Sequence, residues 1–503
     1  MDALFVTPDS SLAAYQGLAD VYSAIEPPTW SLLLAESCRS KGFGVGIIDC
    51  DAQRLSLSKS VEAIESARAK LIVFVLYGQN PNSGTTGMIG AVKLAEALKS
   101  AGVNGKICFV GSHVSALPKE VLSYGCVDLV LLNEGVYALH NLLSSNLESD
   151  ISTIKGVGWK DEGQITLNAP EIVVPQEFMD RDLPGYAWDL LPYDRKPLDL
   201  YRAHFWHAGF NHTQRTPFAA IYTSLGCQFA CNFCMINIVN RVDNSDNVDA
   251  SHSRGMRFWS SEWVNKEMQK LVEMGVKTLR ISDEMFFLNR KYYLPILDNC
   301  IEKNFDFNMW TYSRVDTVRP DVLEKFKLAG VNWLALGVES GNQNVRQEVS
   351  KGSFKDVNIR DVCKTIQSAD INIISNYIFG LSEDNYQSMR ETLDLALELN
   401  TEMANMYACQ ALPGSPLYHT AIRNGWELPK SYEEYAFLSY ECNPMQTNEL
   451  TSAEVLKFRD EAWQTYFNNP SYLNLVETKF GKVERRNIED MAKIKLKRKL
   501  LGD

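Results

Sequence analysis

The 503 residues contain no apolar run approaching the eighteen or so that a membrane-crossing helix needs. The opening Met-Asp-Ala-Leu-Phe-Val-Thr-Pro lacks a basic cluster and meets Pro8 at once, unlike a secretory leader. Both features predict a cytoplasmic protein with no membrane span. Positive charge is also short: 50 Lys and Arg face 62 Asp and Glu, a net of −12. Phosphate backbones are gripped by clustered positive charge, so nucleic acid is not an expected partner. The eleven cysteines are an odd number, which argues against a disulfide framework. Eight of them (Cys38, Cys50, Cys108, Cys126, Cys300, Cys363, Cys409 and Cys442) are dispersed, as core-filling thiols are. The other three are not.

What is present is core-forming material. Hydrophobic residues make up 45% and charged residues 22%, globular proportions over a length that suits about three domains. Short apolar strands are predicted at 3–7, 45–49, 71–76, 106–110 and 127–132, with helical periodicity between them. Continuous apolar strands separated by helices indicate a parallel sheet covered on both faces. Ligands of such sheets sit beyond the C-terminal strand ends, where Gly-, Ser-, Thr- and Asn-rich loops follow at 77–86, 111–118 and 133–135. A hairpin at 156–168 and a connector with five prolines come next. Strand–helix alternation resumes with strands predicted at 219–223, 278–282, 308–312, 333–337, 373–379 and 404–410, a partial barrel with its chemistry at the C-terminal ends. The α/β chain thus divides into a doubly wound domain (1–148), a connector (149–216), a (βα)6 partial barrel (217–420) and a helical C-terminal region (421–503).

Just past the first barrel strand stands Cys227-Gln-Phe-Ala-Cys231-Asn-Phe-Cys234. Three thiolates this close can wrap one soft metal centre. Structural zinc and ferredoxin-type clusters want a fourth ligand, and no other Cys or His lies within ten residues on either side. An iron left without a protein ligand can bind a cofactor or substrate. The alternatives are chance clustering or a zinc loop closed by a distant residue.

The Cys-x3-Cys-x-aromatic-Cys loop after a barrel's first strand resembles the radical S-adenosylmethionine (SAM) superfamily. The resemblance implies that Cys227, Cys231 and Cys234 hold a [4Fe–4S] cluster whose fourth iron is chelated by SAM, and that reductive cleavage of SAM yields a 5′-deoxyadenosyl radical. Further matches fall at consecutive strand ends. Ser282-Asp-Glu284 stands where the family has Gly-Gly-Glu, and Glu284 would accept from the SAM amino group. In Tyr312-Ser-Arg314, Arg314 would pair with its carboxylate. In Gly337-Val-Glu-Ser340, Glu339 resembles the ribose-contacting acid, with Ser340 beside it. Ile378-Phe-Gly380 resembles the adenine-packing segment, and Phe233 is the aromatic of the cysteine loop.

The N-terminal half is similar to the cobalamin-binding domain that precedes the barrel in B12-dependent radical SAM proteins. Glu26-Pro-Pro28, Tyr77-Gly-Gln-Asn-Pro81 and Val110-Gly-Ser-His-Val-Ser-Ala-Leu-Pro118 carry this likeness. It implies cobalamin contacts from Tyr77, Gly78, Ser83, Gly111, Ser112, His113, Asn133, Glu134 and Gly135. Two departures stand out: Val110 replaces the first of two glycines, and the Asp-x-His-x-x-Gly motif of other B12 proteins is absent. Cobalt is therefore expected to lack a lower histidine ligand, which favours release of a methyl group.

Three of the seven histidines, His204, His207 and His212, are flanked by Arg202 and Arg215 just before the cluster loop. They are candidate substrate contacts, and His207 and Cys409 are candidate proton or hydrogen donors. The tail 482–499 carries eight basic and three acidic residues, a solvated helix or a contact for an anionic partner.

The resemblance implies a radical SAM enzyme that uses methylcobalamin to methylate an unactivated carbon of a small molecule. A one-electron reductant such as flavodoxin or ferredoxin would serve it. Rearrangement, cyclisation or decarboxylation with the same cofactors is the alternative. A methylthiotransferase would need a second cluster, for which the N-terminal cysteines are too dispersed. A non-catalytic cobalamin-binding or electron-transfer protein would not need the strand-end series.

Overall fold

The computed structural model describes residues 1–77, 81–147, 151–192, 200–246, 248–350 and 357–503. The first sheet contains β1 (Ala3–Thr7), β2 (Val45–Asp49), β3 (Leu71–Leu76), β4 (Lys106–Gly111), β5 (Leu129–Leu131), β6 (Val157–Asp161) and β7 (Gln164–Leu167), in the order β2-β1-β3-β4-β5-β6-β7. The first five strands are parallel. β3, Leu-Ile-Val-Phe-Val-Leu, is buried at every position, as a central strand covered by helices on both faces must be. The hairpin β6–β7 extends this sheet, because β6 pairs antiparallel with β5.

The second sheet takes β8 (Phe218–Ile221), then, after a small antiparallel pair β9 (Ser224–Cys227) and β10 (Gly255–Phe258), β11 (Thr278–Ile281), β12 (Asn308–Arg314), β13 (Val331–Glu339), β14 (Asn372–Phe379) and β15 (Met403–Ala408). Its six strands are parallel and neighbour one another in chain order, β15-β14-β13-β12-β11-β8. This curled half-barrel is the predicted architecture. Sequential parallel neighbours joined by helices coil in one hand, which gathers all the C-terminal strand ends at one mouth.

One hydrophobic core runs through both sheets, from Phe5 and Leu33 to Ile221 and Tyr377. The connector joins them. Trp206 meets Trp310 and Trp333, near the starts of β12 and β13, at 5.2 and 5.3 Å between ring centroids, and Phe210 meets Phe480 at 5.0 Å. These rings pack the floor of the half-barrel.

After the helices Ser452–Phe467, Pro470–Lys479 and Lys482–Ala492 the chain turns back to the N-terminal domain. Gln16 Nε2 donates to the Lys497 carbonyl and Lys497 N–H to Gln16 Oε1, both at 3.2 Å. Half of the tail's eight basic residues are paired within the chain: Arg485 with Glu477 and Glu489, Lys493 with Asp490, Arg498 with Asp460, and Lys499 with Glu441. Among the described residues, no helix is long and apolar enough to cross a membrane.

Candidate active site

A cavity of about 1120 Å³ opens at the mouth of the half-barrel. Cys227, Cys231 and Cys234 all line it. The loop that carries them is anchored from behind. Asp283 is fully buried and accepts from Thr223 N–H, Thr223 Oγ1 and Ser224 Oγ, each at 2.6 Å, which fixes the turn from β8 into β9. Asn237 accepts from Cys227 N–H at 3.1 Å and donates to its carbonyl at 3.0 Å. Neither anchor stood out in the sequence, because an Asp or Asn beside a loop is ordinary until its partners are placed.

Burial pushes the Cys227 thiol up to about 12, the Cys231 thiol to about 11 and the Cys234 thiol well above its ordinary value. Thiols so raised become ligands only when a metal displaces their protons. Among the described residues, no three His, Cys, Asp or Glu side chains could hold a single metal ion. The three thiols share one cavity wall.

Around the thiols stand the predicted strand-end residues. Glu284 lines the cavity, and its buried Oε1 has no hydrogen-bond partner. Burial lifts its carboxyl to about 7, with Arg280 opposing the shift. Such an orphaned acceptor fits an ammonium or hydroxyl donor of a bound ligand. Arg314, over the Phe229 ring at 3.9 Å, is held by Asp316 through two 2.9 Å bonds and turns Nη1 toward Cys231 Sγ at 3.9 Å. Glu339 lines the cavity at φ +65°, where the β13–β14 register shifts. Burial raises its carboxyl to about 7 as well. Ile378 and Phe233 complete this lining. Ser340 does not join it. It is fully buried, bonded to Thr392 Oγ1 at 3.1 Å, and steadies the turn after β13.

The N-terminal sheet contributes Asn82, Ser83 and Thr86 to the same cavity. Asn82 Oδ1 accepts from Met235 N–H at 3.0 Å and its Nδ2 reaches Cys234 Sγ at 3.5 Å, so the loop after β3 touches the cluster loop. A side chain at Gly84 would meet Ser112 Oγ at 2.0 Å, so only glycine lets this loop lie so close to the end of β4. Of the residues expected to touch cobalamin, Ser83 faces the cavity, while Gly78 lies outside the described residues. Tyr77 is stacked on Trp30 at 4.5 Å and donates to the Asn133 carbonyl at 2.7 Å. Gly111 and Ser112 are buried, and Gly135 starts the following helix at φ +76°.

His113 is buried with both ring nitrogens engaged, at 3.1 Å from Thr85 Oγ1 and 3.4 Å from Glu120 Oε1. Asn133 and Glu134 clamp the two halves together. Asn133 accepts from Arg241 N–H at 2.8 Å and donates to its carbonyl at 3.0 Å, and Glu134 pairs with Arg257 on β10.

His204 and Cys409 line the cavity; His207 does not. His207 is fully buried under the half-barrel, its Nε2 2.9 Å from the Asn308 carbonyl, and burial drives its imidazole down to about 3. It is a neutral packing residue, not a donor at the mouth. His212 packs edge-on to Tyr22.

The Radical SAM superfamily model matches residues 221–396, and the B12 binding domain model matches residues 15–143. An uncharacterized methyltransferase of Pyrococcus horikoshii is 24% identical over 476 residues, 94% of each chain. The anaerobic magnesium-protoporphyrin IX monomethyl ester cyclase of Cereibacter sphaeroides is 22% identical over 446 residues, 86% of this chain and 65% of that one. The radical S-adenosylmethionine methyltransferase TsrM from Kitasatospora setae, solved with cobalamin and a [4Fe–4S] cluster, shares the fold. Its TM-score is 0.65 at 13% identity, covering 94% of this chain and 90% of that one. The chain thus carries a B12-binding domain followed by a radical SAM domain, with the loop after β3 in the first touching the cysteine loop of the second.

Proposed function

We propose that the protein is a cobalamin-dependent radical SAM methyltransferase acting on an unactivated carbon of a small molecule. The observation that carries this reading is the shared cavity. The three cluster thiols, the orphaned Glu284 carboxylate, Arg314 and Glu339 line one side, and Asn82, Ser83 and Thr86 of the B12-binding domain line the other. When bound, the cluster and SAM supply a hydrogen-abstracting carbon radical, and methylcobalamin supplies a methyl group.

The chain's own residues do the rest. Cys227, Cys231 and Cys234 ligate iron. Glu284 accepts from the SAM amino group, Arg314 pairs with its carboxylate, Glu339 holds the ribose, and Phe233 and Ile378 pack on the flat rings. The loop after β3 presents small polar groups and close backbone to the corrin. His113 is held by Thr85 and Glu120, so either of its ring nitrogens would have to leave its partner before it could ligate a metal. The aromatic floor and the shared core exclude water from a site where reactive carbon must not be quenched. A flavodoxin- or ferredoxin-type donor in the cytoplasm would supply the electron.

The test is product mass after turnover with SAM labelled as CD3. Transfer of the labelled methyl with two SAM consumed per product supports methylation. An unlabelled product with a new ring or a lost carboxyl assigns the protein to the cyclising or decarboxylating chemistry instead.

A further inference from the structure

Below the residues assigned to SAM, the cavity continues one pleat deeper. Side chains two residues apart on a strand share a face, about 6–7 Å apart along it. Two residues before Arg314, Glu339 and Ile378 stand Tyr312, Gly337 and Asn376, and all three line the cavity, as do Asn405 and Tyr407 of β15. Gly337, Asn376 and Asn405 are direct neighbours across β13, β14 and β15.

The layer's own side chains, Tyr312, Asn376, Asn405 and Tyr407, are polar and uncharged. Asn405 Nδ2 donates to Asn376 Oδ1 at 3.0 Å, and the Tyr407 hydroxyl reaches the same oxygen at 3.5 Å. Asn376 Oδ1 is thereby occupied, while Asn405 keeps a carbonyl oxygen and an N–H for a ligand. Gly337 has no side chain of its own, and Glu339 takes that space: a Cβ at Gly337 would stand 2.6 Å from Glu339 Oε1. Arg280 is fully buried, paired with Glu26 at 2.5 Å and donating to the Tyr312 hydroxyl at 3.1 Å. His204 is kept neutral by burial, with Arg280 adding to the effect. The flanking walls are the rings of Tyr15, Tyr22, Trp206 and Trp310.

A carboxylate drawn into this layer would lose its hydration and face the Glu339 carboxyl instead of a counter-ion. A neutral amide or hydroxyl loses less, can exchange hydrogen bonds with Asn405 and can donate to the Tyr407 oxygen, while flat apolar groups suit the aromatic walls. We infer that this layer is the substrate-recognition site, and that it takes an uncharged hydrogen-bonding head on a flat apolar body in preference to a carboxylate of the same shape. The inference rests on the methyltransferase reading only in taking the ligand of this layer to be the substrate.

The test compares 2-naphthamide with 2-naphthoate, alike in shape and different in charge, on anaerobically reconstituted wild-type holoprotein in the presence of SAM. Calorimetric titration should show the amide binding at least tenfold more tightly. Asn405→Leu should erase that preference. Tyr407→Phe, which removes one hydroxyl, should weaken amide binding about threefold and serves where the first variant does not retain iron. Equal affinities, tighter binding of the carboxylate, no binding of the amide, or an unchanged preference in the variants overturns the inference. Cleavage of SAM to 5′-deoxyadenosine is followed in the same preparation. Its absence counts against the methyltransferase reading, whereas cleavage with equal probe affinities refutes the substrate class alone.

Discussion

Arg280 and Glu26 form a buried ion pair that ties the B12-binding domain to the half-barrel, and its two halves should fail differently. Arg280 is 0% exposed and Glu26 7%, so neither charge can recover hydration when its partner is removed. Replacing Glu26 with Ala strands a guanidinium that cannot lose its proton. Such a stranded buried charge costs about 3–5 kcal/mol. The bond to Tyr312 and the Trp310 ring 4.7 Å away survive, which puts the expected loss near the lower end, about 3 kcal/mol, at any pH.

Arg280→Met leaves a carboxylate instead, and a carboxylate can take up a proton. Burial already raises Glu26, with Arg280 as the opposing influence; without the cation the rise is unopposed. A carboxyl raised in the folded state contributes stability at low pH that is lost as pH climbs through the folded value. Urea unfolding of both variants at about pH 5.5 and about pH 8 reads this directly. Arg280→Met should be near wild type at the lower pH and destabilised by about 2–3 kcal/mol at the higher, while Glu26→Ala should be weak at both. A Glu26→Ala cost under about 1 kcal/mol, or an Arg280→Met cost that ignores pH, would refute the reasoning.

Three further outcomes are expected. Alanine at Cys227, Cys231 or Cys234 should each remove most of the bound iron and the brown cluster absorbance, while Cys409→Ala should keep both; iron analysis of anaerobically purified protein decides. Asp49, buried and hydrogen-bonded to Tyr201 at 3.2 Å, has its carboxyl lifted to about 7 by burial and by Asp51. Its contribution is fully present below the ordinary carboxylate range and is lost as pH rises through about 7, so Asp49→Asn should gain on wild type between about pH 5 and pH 8, by roughly 1–3 kcal/mol in thermal or urea unfolding. Parallel pH curves would contradict this. Finally, the electron paramagnetic resonance spectrum of the cob(II)alamin-loaded protein should show no histidine nitrogen splitting. His113→Ala should leave that spectrum unchanged while lowering stability through loss of the Thr85 and Glu120 contacts.

Much of this was legible in the sequence, for identifiable reasons. Continuous apolar strands such as Leu71–Leu76 announce a doubly covered parallel sheet, and Cys227, Cys231, Cys234, Glu284, Arg314, Glu339 and Ile378 are readable because each stands at or just past the C-terminal end of a strand, where the mouth lies. Position alone could not separate Glu339, in the cavity, from Ser340, which turns to Thr392. His113, Asn133 and Glu134 looked like ligand contacts because polar residues at strand ends usually are, yet Thr85, Arg241 and Arg257 from distant segments claim them. The roles of His204 and His207 depend on which connector side chain faces the cavity and which faces Asn308. The Asn405 layer and the Gln16–Lys497 contact join residues far apart in sequence, and no local pattern marks them.

The central claim is that three thiols leave one iron of a cluster open for SAM, in the cavity the B12-binding domain faces. Its most direct test is the electron paramagnetic resonance spectrum of the reduced, fully iron-loaded protein before and after addition of SAM. A clear change in the cluster's g values is the expected result. A full complement of iron with a spectrum that SAM leaves untouched would contradict the account.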